Sequence, residues 1–160
     1  MLSTLIIALL SALFIVTHIG MATAKTRAQI VGRFGEKGFL TLYSTLASVQ
    51  FGVLIAYYAA HRFDGAAGFS LGATPAIRAM LIGVIVAGIA LMGGSLVTYP
   101  DSPFGVAGHN FREPYGIERI SRHAFFAGTF LFATAHALLS SHLNGTIFFS
   151  STAVLRWNQS

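Results

Sequence analysis

The chain contains no cysteine. That excludes disulfides, thiolate metal centres and the Cys-x-x-Cys-His pattern of covalently attached haem, so any haem here is held by histidine and packing alone. Charge is almost as scarce: only 9% of the 160 residues are Asp, Glu, Lys or Arg, where a soluble domain carries about a quarter. No acidic residue follows Glu118. Paired-carboxylate catalysis and a carboxylate proton relay therefore lack their parts within the apolar segments. A Ser-His-Asp arrangement would have to recruit Asp64 or Asp101 from loops, with no nucleophile elbow to support it. No Walker-type phosphate loop and no Lys/Arg run interleaved with aromatics occurs, which excludes a nucleic-acid surface.

What is present is apolar. Hydrophobic residues make up 54% of the chain and its mean hydropathy is +0.70, so the expected solvent is the lipid bilayer. The length suits one domain over residues 1–160. The predicted fold is all-α: an integral membrane helical bundle of four transmembrane helices plus a short apolar C-terminal segment, a candidate fifth.

The first span covers Ser3 to Ala24. Ala22-Thr23-Ala24 has the small side chains of a signal-peptidase site, but no Lys or Arg precedes the apolar run, so a retained helix is expected. A loop from Thr23 to Gly38 follows, with Lys25, Arg27, Arg33 and Lys37 against Glu36 alone, and its glycines keep it from being one rigid helix. Such a positive loop faces the cytoplasm, which puts the N-terminus outward. The second span runs from Phe39 to Ala60, with Ser48, Gly52, Ala56 and Ala60 as a small-residue ridge for a partner helix, and with Tyr57 and Tyr58 as an aromatic belt. The third, Ile77 to Thr98, repeats the ridge at Ala79, Gly83 and Ala87. After a proline-punctuated, Arg-bearing loop the fourth span climbs from Arg122 to His142. The last apolar run, Leu143 to Leu155, is too short to cross.

The six histidines differ in setting. His61 and His142 fall at the outer surface and His109 in a loop, where solvation satisfies them. His123 stands beside Arg122 at the mouth of the fourth span. His18 and His136 lie inside apolar runs, where an ionisable group either bonds across helices or holds a cofactor. Bis-imidazole ligation of a haem iron is the functional reading, and interhelical hydrogen bonding the structural one. By helical rise His18 lies about 7 Å inward of the midplane and His136 about 5 Å outward. That offset strains the pair and keeps His18 with His123 as the fallback.

Three stretches carry a family resemblance: Thr17-His18; Gly35-Glu36-Lys37-Gly38-Phe39 continuing to Leu42-Tyr43-Ser44; and Gly116-Ile117-Glu118-Arg119-Ile120-Ser121-Arg122-His123 leading to Ala135-His136-Ala137-Leu138. In these the chain resembles the NnrU family, which includes bacterial NnrU proteins and the 15-cis-zeta-carotene isomerase. The resemblance implies a small integral membrane protein of five or six helices, with haem b (iron) held by His18 and His136. It further implies cis-trans isomerisation of a hydrophobic polyene in one branch and a denitrification-related role in the other. Two departures are visible: Ala124 stands where the family has proline after Arg-His, and the chain stops at Ser160 where relatives continue. Two alternatives stand beside this reading. One is a non-catalytic subunit whose partners are helices of a larger membrane complex; the other, weaker without that proline, is a membrane methyltransferase.

Overall fold

The computed structural model describes residues 1–98 and 124–154. They form five α-helices: α1 (Leu2–Ala22), α2 (Ala24–His61), α3 (Pro75–Thr98), α4 (Ala124–Leu139) and α5 (Leu143–Val154), with a 3-10 turn at Leu71–Ala73. Three helices are long and apolar enough to cross a membrane, in α1, in α2 and over Pro75–Leu96 of α3; α4 is a shorter apolar helix. The architecture is an all-α membrane bundle.

The pattern on α1 shows what solvates it. Its buried stripe is Ser3, Ile7, Ser11 and Phe14, while Leu5, Leu9, Leu13 and Val16 are exposed. Half of the inward stripe is hydroxylated and the whole outward stripe is aliphatic, the reverse of a soluble helix. Lipid is the medium in which that arrangement is favourable.

The helices pack in the order α3, α4, α5, α1, α2. Short α5 is the wedge between the two halves. Its Phe148 joins Ile7 of α1 and Leu54 of α2 in the core, and Tyr58 lies flat on Phe148 with centroids 4.3 Å apart. Tyr58 is therefore a half-buried core residue and not part of an aromatic belt; helix α5, whose packing was not legible in sequence, covers it.

The small-residue ridges behave differently from expectation. Ser48, Gly52, Ala56 and Ala60 are exposed, as are Ala79, Gly83 and Ala87, and a Cβ on Gly52 or Gly83 would meet nothing within 4 Å. The close crossing lies instead at Gly88 of α3 and Gly128 of α4, where a Cβ on Gly128 would stand 2.5 Å from the Gly88 carbonyl oxygen. Thr129, the next residue, donates to the Met92 sulfur at 3.4 Å.

The expected loop at 23–38 is largely helical. Residue Thr23 alone separates α1 from α2, and α2 is broken once, at Gly35 (φ 72, ψ 172). Gly32 and Gly38 stay within helix. At the other end of the span, α4 stops at Leu139 where the fourth span was expected to reach His142. The next residues turn instead and pair with the α2–α3 loop: Ser70 N–H donates to the Ser140 carbonyl at 2.9 Å and Leu143 N–H to the Ala66 carbonyl at 2.8 Å. Gly68 fits against this turn because a Cβ there would lie 2.6 Å from the Ser140 carbonyl oxygen.

Asn144 ties that end together. Fully buried, it accepts a hydrogen bond from Thr4 Oγ1 at 2.6 Å and donates to the His61 carbonyl at 2.8 Å. One amide thus joins the start of α1, the end of α2 and the start of α5, and gives the last carbonyl of α2 a partner that its own helix cannot supply.

Two outcomes are expected from melting detergent-purified variants. Gly128→Ala overpacks the crossing and should destabilise by about 1–3 kcal/mol, while Gly83→Ala, opposite open space, should stay within about 0.5 kcal/mol. Asn144→Ala should cost about 1–3 kcal/mol, because the Thr4 hydroxyl loses its acceptor and the His61 carbonyl keeps only the Asp64 N–H. A double-mutant cycle with Thr4→Val should then recover a coupling of about 0.6–1.7 kcal/mol.

Candidate functional site

The two histidines singled out by sequence lie on different helices, each in a nest of aromatic rings. His18, near the end of α1, packs on Phe14 at 5.4 Å and on Tyr43 of α2 at 4.9 Å between centroids. The Tyr43 hydroxyl and His18 Nε2 are 2.8 Å apart. The other ring nitrogen, Nδ1, is buried with no hydrogen-bond partner. A neutral imidazole has one N–H and one lone pair, so in either tautomer a buried polar group is unsatisfied. Such orphans are rare in folded proteins and call for a reason. Beside it, Thr17 donates to Gln50 Oε1 at 2.7 Å, a second polar tie between α1 and α2.

His136 lies in the last turn of α4. Its Nδ1 is 2.8 Å from the Phe132 carbonyl oxygen one turn earlier. A carbonyl only accepts, so Nδ1 carries the hydrogen and the neutral ring keeps its lone pair on Nε2. That is the tautomer in which imidazole ligates a metal, with a backbone carbonyl orienting the ring from behind. Phe132 at 4.1 Å and Phe149 of α5 at 4.7 Å flank the ring. No hydrogen bond engages Nε2 among the described residues.

The structure does not bring the two rings into contact. Taking the Thr4–Asn144 bond as a common level, His18 is fourteen residues along α1, and Phe149, which touches His136, is five residues along α5. At 1.5 Å per residue the two sites differ in depth by about 13 Å, close to the offset read from sequence. His123 and His109 lie outside the described residues. His61 and His142 are not simply solvated: His61 Nδ1 bonds the Tyr57 carbonyl at 3.0 Å, and His142 Nδ1 meets Ser141 Oγ at 2.9 Å. Both close local turns at the Asn144 end.

Sequence reasoning missed Tyr43 as the partner of His18, and missed Gln50. A polar residue inside each apolar run was the available signal, since both must find a partner in hydrocarbon. Among the described residues no group of three or more His, Asp or Glu forms, so a closed multidentate ion site is not built from them.

These features define a class: a small helical membrane protein with polar ties between its helices and two imidazoles set among aromatic rings. The model described as NnrU protein matches residues 5–159, nearly the whole chain, and the chain belongs to the NnrU family. No curated protein and no solved structure matches it.

The role of Tyr43 can be measured. Tyr43→Phe leaves both nitrogens of His18 unpartnered and should lower stability by about 1–3 kcal/mol. Adding His18→Phe removes the orphan as well, and should restore much of the loss in thermal melts.

Proposed function

We propose that this NnrU-family protein binds haem b within the bilayer, with His136 and His18 as the residues that would hold its iron. The observation that carries the proposal is the bond from His136 Nδ1 to the Phe132 carbonyl, which leaves the Nε2 lone pair available. The orphaned Nδ1 of His18 supports it, because a buried nitrogen without a partner is accounted for by a group that completes the site. The difference in depth argues for keeping His18 with His123 as the alternative pair.

In that site the chain's own residues have separable tasks. Phe132 orients His136 through its carbonyl and, with Phe149, walls the ring off from water. Tyr43 holds His18 in position. A haem iron would supply an electron-accepting centre, and the surrounding aromatic side chains offer apolar contact suited to a polyene. The reaction proposed is cis-trans isomerisation of a carotenoid-type double bond. The family's other branch suggests instead a role in denitrification. We place the protein in the bacterial inner membrane with its N-terminus outward, on the strength of the four cations between Lys25 and Lys37.

A second reading, a non-catalytic subunit, is favoured by the exposed ridges at Gly52 and Gly83, which have open space for further helices. Absorption spectra decide between the two. Protein purified after haem supplementation should show a Soret band that shifts on reduction and is lost in His136→Ala. Loss in His18→Ala as well identifies the second ligand, whereas a band that survives His136→Ala and is lost in His123→Ala moves the pair to His18 with His123. A colourless preparation that co-purifies with a larger complex would overturn the haem reading.

A further inference from the structure

Between α1 and the crossing part of α2 lies the helical stretch 24–34, which ends at Gly35. Its two ends sit at one depth. Ala22 is four residues beyond His18, and Phe39 is four residues before Tyr43, so the His18–Tyr43 contact aligns them. Helix α1 has 21 residues, enough to fill the hydrocarbon core of about 30 Å. The chain therefore leaves α1 and enters the crossing part of α2 at the bilayer boundary. The stretch between runs along the surface.

Its sides are chemically divided. Lys25, Gln29 and Arg33 recur at every fourth position and are exposed. Ile30 and Val31 are half-buried on another side, next to Phe34, which is 67% exposed. Arg27 would interrupt that apolar side, but it folds back onto Glu36 and lies over the Phe39 ring at 5.5 Å. This pair occupies the segment's only carboxylate. Lys25, Arg33 and Lys37 are left without an ion pair among the described residues.

We infer that residues 24–34 form an in-plane helix that, together with Lys37 just past the Gly35 break, binds anionic phospholipid, with Lys25, Arg33 and Lys37 on headgroup phosphates and Phe34 seated at the acyl boundary. Basic side chains on one face and apolar ones on the other are what such a surface recognises. The exposed Phe34 selects lipid over a free anion, since an inorganic ion would cover none of that ring. Gly35 makes the arrangement possible. A φ of 72° with ψ of 172° is open to glycine and not to L-residues, and a Cβ there would touch nothing, so the demand is conformational.

Full-length protein equilibrated in mixed micelles of equal phosphatidylcholine and phosphatidylglycerol provides the test, with retained lipid counted by mass spectrometry. The wild type should retain the anionic lipid about fivefold over the zwitterionic one, and the preference should fade with added salt. The triple variant Lys25→Gln, Arg33→Gln, Lys37→Gln should fall to parity at an unchanged melting temperature. Arg62→Gln with Arg78→Gln, at the opposite end, should keep the wild-type preference. The inference is overturned by equal retention in the wild type or by a preference that survives the triple variant. Displacement of the lipid by millimolar inorganic phosphate overturns it too. None of these readouts depends on haem.

Discussion

The fold depends on one buried amide. A buried carbonyl or hydroxyl has no water to turn to, so helix ends that meet inside the protein need a partner built from protein. Asn144 provides it for three helices at once, with its carbonyl oxygen on Thr4 and its amide hydrogens on the His61 carbonyl. Around this point the α2–α3 loop and the α4–α5 turn exchange backbone hydrogen bonds, and Gly65 (φ 91) and Gly68 let them approach. The aromatic nest of His136 lies just below and inherits its position from that end. Remove the amide and α5 loses its register against α1 and α2, and Phe149 with it.

The remaining cohesion is of two kinds suited to lipid. Helices α3 and α4 meet backbone to backbone at Gly88 and Gly128, where contact area replaces the hydrophobic effect that lipid cannot supply. Helices α1 and α2 are joined by side-chain pairs, Thr17 with Gln50 and His18 with Tyr43. The histidine pair is the weaker design on stability grounds alone, because it leaves Nδ1 unsatisfied. The proposed ligand role would account for that penalty.

Much of this was readable from the residues. The scarcity of charge and the length of the apolar runs specified an all-α membrane bundle, and burial singled out His18 and His136. What could not be read was which face of each helix meets which neighbour. Small residues at four-residue spacing marked Gly52 and Gly83 as contact points, yet the same composition suits a lipid-facing surface, and the close crossing described here falls at Gly88 and Gly128. Asn144 lay hidden in a segment read as a short apolar run, and nothing local announces a hydrogen bond spanning 140 positions. The stretch 23–38 was read as loop because it is charged and rich in glycine; a surface-lying helix tolerates both, and a single glycine breaks it.

That long reach of Asn144 has a consequence for synthesis. Chains emerge from the ribosome amino end first, and early elements settle before late ones exist. Helices α1 and α2 can insert and pair through Thr17 and Gln50 while Ser3 and Thr4 still await their partner. Closure comes only when α5 arrives, so the nascent protein carries an unsealed edge through most of its translation. A chaperone or protease that surveys the membrane for exposed polar atoms would find its window there, in the interval before residue 144 is made.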